Sequence, residues 1–272
     1  MTIAWPEGSG SITVNNQDLE WACWGPPPSR GPVIVMLHEG LGCVALWRDF
    51  PATLAKATGC GVFAYSRAGY GFSSAAVLPR PLDYMTQEAI DVLPAVLNQI
   101  GAKKIILFGH SDGATIAAIY AGSVEDFRVR GLVLMAPHFF TEDMGLAEIA
   151  EAKANFSASD LGLRMAKYHR DPAATFKGWN DAWLDPGFKS WNVADVIDYL
   201  RIPVLAIQGR QDQYGTKAQI EELDSRIYSP LDITWIEDCR HSPHLEQPET
   251  TLAAVTDFVA RLQRLETEKV AV

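Results

Sequence analysis

The pentapeptide Gly109-His110-Ser111-Asp112-Gly113 is where this 272-residue chain most plainly offers chemistry. A serine hydroxyl is a poor nucleophile. It needs a base to take its proton, and the base needs an acid to orient it. Two other stretches carry those residue types. Gly209-Arg210-Gln211-Asp212-Gln213-Tyr214-Gly215 offers Asp212, and Glu237-Asp238-Cys239-Arg240-His241-Ser242-Pro243-His244 offers two histidines. Alone, Asp212 reads as a turn aspartate; its place just after a strand assigns it the orienting role. His244 lies nearer the start of the last helix, where packing or capping is its ordinary use, so His241 is favoured as base. Ser111, Asp212 and His241 together would carry acyl transfer, with serine attacking a carbonyl and water cleaving the acyl-enzyme.

The elements around these residues must hold them in place. The apolar run Ile105–Phe108 leads straight into the pentapeptide, and a small-residue helical pattern, Ala114–Ala121, follows. This reads as a buried strand, a very tight turn and a helix with Ser111 at the apex. Such a reversal crowds the positions two residues either side of the apex, hence Gly109 and Gly113. The apex is expected in a strained backbone conformation. Developing negative charge on the substrate needs preorganised N–H donors. Asp112, at the helix N-terminus, supplies one, and the turn His38-Glu39-Gly40-Leu41-Gly42 the other, through Gly40 with Leu41 next.

Eight strands are expected, at about 11–14, 19–24, 33–37, 61–65, 105–109, 132–136, 203–207 and 232–236. The β-branched run Val33–Leu37 suits a strand buried on both faces. Helices are expected from about Ala45 to Thr58, from Leu82 to Ile100 with Pro94 kinking or dividing it, and from Pro248 to Leu265, with 266–272 fraying. Strands alternating with helices point to a mostly parallel sheet covered on both faces. The rhythm breaks between Pro137 and Leu200, a stretch rich in Phe and Trp. Residues 1–137 and 201–272 are read as an α/β core and 138–200 as a helical insertion over the carboxyl edge of the sheet. Glu39, His138 and Trp183 are the candidate substrate-lining residues.

A formal net charge of −10 argues against nucleic acid and anionic membranes as partners. Cys23, Cys43, Cys60 and Cys239 form no C-x-x-C pair and no metal-ligand spacing, so no metal or cofactor is expected. No basic start, apolar leader or transmembrane run is visible, and the economical reading is a cytoplasmic protein with a small-molecule substrate. A homo-oligomer stays open.

The motifs Leu37-His38-Glu39-Gly40, Ser66-Arg67-Ala68-Gly69-Tyr70-Gly71-Phe72-Ser73, Gly109–Gly113, Gly209–Asp212 and His241–Glu249 give the chain its resemblance to the α/β-hydrolase superfamily over nearly its whole length. The order Ser, Asp, His is the one that fold uses. The resemblance implies an eight-stranded, mostly parallel sheet flanked by helices, with a helical cap inserted after strand six and a triad at Ser111, Asp212 and His241. Three positions depart from the usual pattern. Glu39 stands where glycine is usual and is expected to turn away and pair with an arginine. Ser66 stands where Asp is common, and Arg240, where Gly is common, would bring a cation near the histidine.

The reading is a serine hydrolase for a neutral, moderately hydrophobic carboxylic ester or related acyl compound. A serine at the elbow disfavours haloalkane dehalogenase and epoxide hydrolase chemistry, which in this superfamily uses Asp as nucleophile. The rivals are carbon–carbon hydrolysis of a ring-cleavage diketone on the same triad, a non-catalytic receptor that kept the pocket, and cofactor-free oxygenation or perhydrolysis.

Overall fold

The computed structural model describes residues 3 and 5–267; residues 268–272, most of the stretch expected to fray, lie outside them. Eight strands form one sheet: β1 Gly8–Val14, β2 Gln17–Trp24, β3 Val33–Leu37, β4 Gly61–Tyr65, β5 Ile105–His110, β6 Val129–Met135, β7 Val204–Gly209 and β8 Leu231–Ile236. Their spatial order is β1-β2-β4-β3-β5-β6-β7-β8, antiparallel at β1–β2 and β2–β4 and parallel elsewhere. Asn15 and Asn16 turn the β1–β2 hairpin with φ of 50° and 62°, a left-handed pair that asparagine tolerates well.

Parallel strands buried on both faces need apolar residues at every position, and β3 and β4 are buried throughout. Alternate residues then feed two cores. Val33, Val35 and Leu37 face one layer with the helices Leu93–Ile100 and Asp112–Ser123. Ile34 and Met36 face the other, with the helices Phe50–Thr58 and Pro248–Thr267. The helix Asp112–Ser123 is buried from Asp112 through Tyr120, which is why its sequence is small and apolar rather than amphipathic.

Proline positions correct one expected helix and divide another as expected. The helix expected from Ala45 is a short 3₁₀ turn, Val44–Trp47, then a break at Arg48 (φ 53°), and only then the α-helix from Phe50. Pro51 explains the break, because it lacks an N–H and is at home in a first helical turn. Pro94 is accommodated by a widened π turn, Glu88–Val92, between Tyr84–Gln87 and Leu93–Ile100. The missing proline N–H leaves the carbonyl four residues back without its usual donor, and the wider turn absorbs the mismatch.

Between β6 and β7 the chain forms the helices Asp143–Ala158, Leu161–Met165 and Pro172–Trp183, then two 3₁₀ turns. This segment is tied to the turn after β4. Thr175 Oγ1 donates to Gly69 O at 2.7 Å, Gly71 N to His169 Nδ1 at 2.9 Å, and Arg170 Nη2 to Phe72 O at 2.7 Å.

Candidate active site

The parallel register brings the carboxyl ends of β3, β5, β6, β7 and β8 into one row. Leu37 pairs with Gly109, His110 with Met135 and Gly209 with Ile236. Loops leaving these ends enclose a cavity of about 390 Å³. Glu39, Gly40 and Leu41 line it from β3, Ser111 and Asp112 from β5, and His138 from β6. Gln213 and Tyr214 enter from the β7 loop and Arg240, His241 and Ser242 from the β8 loop. Ile149, Trp179 and Trp183, from the segment between β6 and β7, form a wall of the cavity.

Ser111 has φ 53° and ψ −119°, a conformation costing a non-glycine residue about 1–3 kcal/mol. The turn is over-determined. Ser111 N donates to Met135 O at 2.9 Å, and the Ser111 carbonyl accepts from Ala114 N at 2.8 Å and Thr115 N at 3.0 Å. A Cβ on Gly109 would collide with the Gly113 carbonyl, and one on Gly113 with the carbonyl of Leu37. Asp112 is the first residue of its helix, so no carbonyl four residues back within that helix takes its N–H. Gly40 also has no room for a side chain, because the Trp179 indole lies across it.

His241 Nδ1 lies 2.8 and 2.9 Å from the two Asp212 oxygens, which leaves Nε2 for the rest of the site. Asp212 also accepts from Gln208 Nε2 at 2.9 Å, Tyr214 N at 2.8 Å and Gly215 N at 3.3 Å. Burial opposes its charge. The imidazole of His241 and the surrounding donors outweigh burial and hold the carboxyl below the usual carboxylate range. The β7 and β8 loops approach so closely that a Cβ on Gly209 would strike the carbonyls of Cys239 and Arg240. His241, not His244, meets Asp212. The His244 ring is buried against Trp47 at 4.9 Å and Phe50 at 5.8 Å, and burial pulls its pKa down to about 3.

His138 lies 5.7 Å from the His241 ring and 5.4 Å from Trp183, and burial lowers its pKa to about 4. The Trp183 indole donates to Tyr84 Oη at 3.0 Å, and Tyr84 Oη donates to Asp112 Oδ2 at 2.6 Å. Arg67, 2% exposed, sits beneath, 3.6 Å from the same Asp112 oxygen. The expected arginine pairing of Glu39 does not form among the described residues. Arg67 gives its guanidinium N–H groups to the backbone carbonyls of His38 and Glu39, so the Glu39 carboxyl stays at the cavity.

Gln208, Trp179, Tyr84 and Arg67 escaped the sequence reading. Gln208 left a trace: it is the one amide in the otherwise apolar run of β7. Trp179 was one of many aromatics in its segment, and nothing local distinguished it. Among the described residues, no group of three or more His, Cys, Asp or Glu side chains is placed to hold a metal. No described helix is long and apolar enough to cross a membrane.

The sequence profile described as "Alpha/beta hydrolase family" matches residues 34–255. Epoxide hydrolase 2 from Siraitia grosvenorii is 25% identical over 214 residues, covering 70% of this chain and 65% of the relative. Epoxide hydrolase B from Mycobacterium tuberculosis is 26% identical over 212 residues, covering 76% of this chain and 56% of the relative. The chain thus spans less than two thirds of the length of these curated relatives. Among solved structures, an esterase from Thermogutta terrifontis superposes with a TM-score of 0.71 at 21% identity, covering 94% of this chain and 99% of its own. The enol-lactonase from Burkholderia xenovorans gives 0.71 at 18% identity, covering 92% of this chain and 100% of its own. These likenesses support the fold.

Proposed function

The chain belongs to the alpha/beta hydrolase family, and we propose that within it this protein is a serine hydrolase for a neutral, moderately hydrophobic carboxylic ester or related acyl compound. One observation carries the reading. A strained Ser111 and a histidine hydrogen-bonded to a buried carboxylate line the same cavity. In the proposed reaction His241 Nε2 takes the Ser111 proton as Oγ attacks the carbonyl carbon. Asp212 holds the ring so that its proton sits on Nδ1, leaving the Nε2 lone pair free for the serine. The N–H groups of Gly40 and Asp112 receive the developing oxyanion. The tetrahedral intermediate collapses, the leaving group takes the proton from His241, and the acyl group stays on Ser111. Water then attacks, deprotonated by His241, and the acid departs.

Leu41, Ile149, Trp179, Trp183 and Tyr214 give the cavity mostly apolar and aromatic walls, which supports a hydrophobic acyl or alkyl group of modest size. Residues 138–200 are read as a cap whose tryptophans set that size. The similarity to epoxide hydrolases does not carry their chemistry over, because a serine occupies the elbow.

A chain-length panel of chromogenic esters tests the proposal. Multiple turnovers are expected on short to medium acyl chains, and none with Ser111→Ala in a protein that stays folded. Turnover that survives Ser111→Ala would remove the serine from the reaction.

A further inference from the structure

Glu39 is the cavity carboxylate that catalysis as written leaves unused. Of the other carboxylates lining the cavity, Asp112 Oδ2 accepts from Tyr84 and Glu246 accepts from the N–H groups of Arg240 and Ser242, while Asp212, outside the lining, is held by His241. The Glu39 side chain folds back over its own turn into a niche that exists because residue 42 is glycine, where a Cβ would collide with Oε2. Its face toward the cavity leaves the side chain 29% exposed. Its other face meets a histidine, with His110 Nδ1 3.8 Å from Oε2.

That histidine is buried and half satisfied. His110 Nε2 lies 2.7 Å from the carbonyl oxygen of His241. A carbonyl only accepts, so Nε2 carries the proton, and in a neutral ring Nδ1 is then a lone pair seeking a donor. No partner among the described residues reaches it within hydrogen-bond distance. A carboxylic acid at Glu39 holds the O–H that is missing, and about 1 Å of movement brings the pair to hydrogen-bond length.

We propose that Glu39 is a positioning residue for the base. As a neutral acid it donates to His110 Nδ1 and, through the His110 Nε2–H, anchors the main chain of His241 against Ser111. The inference rests on the reading of His241 as base. Burial favours the neutral form of both groups. Burial raises the Glu39 carboxyl and Asp112 adds a little to this, while its own main-chain N–H, Arg67 and His241 oppose it. Burial lowers His110 well below the usual histidine range, helped by His241, His244 and His138. Once Glu39 ionises, a carboxylate faces a lone pair and the anchor is lost. The structure thereby joins the substrate cavity to the backbone of the histidine through two side chains.

The test is kcat and KM against pH for the wild type, Glu39→Gln and Glu39→Ala on one chromogenic ester. Wild-type kcat is expected to fall on the alkaline side as Glu39 loses its proton. Glutamine donates an N–H to His110 Nδ1 and cannot ionise, so E39Q is expected to hold kcat within about threefold and to lack that alkaline fall. E39A is expected to lose about tenfold in kcat with KM nearly unchanged. An alkaline limb identical in wild type and E39Q overturns the inference, as does an E39A effect confined to KM, which would make Glu39 a substrate contact. Ser111 labelling by a fluorophosphonate runs in parallel. Labelling with an unaltered pH profile defeats this inference alone, whereas absent labelling and turnover in folded wild type defeats the serine hydrolase reading and this inference with it.

Discussion

Replacing Asp212 by Asn changes little in shape and a great deal in hydrogen bonding. Four donors converge on the carboxylate: His241 Nδ1 at 2.8 Å, Gln208 Nε2 at 2.9 Å, Tyr214 N at 2.8 Å and Gly215 N at 3.3 Å. An amide keeps one accepting oxygen and turns the other into a donor. If the oxygen stays with the two main-chain N–H groups, the new NH₂ faces His241 and Gln208. His241 then must accept at Nδ1, its proton moves to Nε2, and it can no longer deprotonate Ser111. The expected loss in kcat is on the order of 10⁴, with KM little changed. Stability should fall by about 2–3 kcal/mol, because charge-assisted bonds to a buried group are lost and one donor is left facing another. Steady-state ester hydrolysis and urea unfolding measure both. A folded D212N variant within about tenfold of wild-type kcat would refute the assignment of the orienting acid.

His244→Ala should retain most activity and lose about 2–4 kcal/mol of stability, since it empties a space packed by Trp47 and Phe50, whereas His241→Ala should abolish turnover; ester assays and denaturant melts on both separate the roles. Tyr84→Phe removes the hydroxyl that both accepts from Trp183 and donates to Asp112, and should lower stability by about 1–3 kcal/mol in the same melts, with no loss as the refuting result. Acid should weaken the fold early. His138 and His244 are held neutral, with pKa values of about 4 and about 3 in the folded protein, so the unfolded chain binds protons first as pH drops below about 6.5. Their contribution is intact above that pH and is lost as pH falls toward the folded values, on the order of 2 kcal/mol per group by pH 5. Thermal melts between pH 7 and pH 5 should therefore shift downward, and a flat profile would contradict the burial of these rings. Asp212 adds a loss of the same sign at lower pH, below the ordinary Asp value of about 3.9.

The sheet was legible because its signals are local. Apolar runs such as Val33–Leu37 and Ile105–Phe108 can be buried on both faces in only a few ways, and Gly109 and Gly113 mark a turn whose crowding the structure bears out. Strand order along the chain placed Ser111, Asp212 and His241 on loops at one edge of the sheet, and the register brings Ser111 and His241 to one cavity with Asp212 hydrogen-bonded to His241. What stayed hidden is non-local. Gln208 reaches Asp212 across a turn, and Tyr84 joins Trp183 to Asp112 from a helix far off in sequence. Glu39 was expected to seek an arginine. The nearby arginine, Arg67, is buried beneath the turn and spent on main-chain carbonyls, an outcome fixed by packing depth rather than by residue type. The break at Arg48 was in principle readable from Pro51, whose missing N–H marks a helix start.

The most direct test of the central claim is fluorophosphonate labelling of the wild-type protein followed by peptide mapping. The account predicts one adduct, on Ser111, lost in Ser111→Ala and strongly slowed in His241→Ala. Folded protein that takes no label, or takes it at another residue, would contradict it.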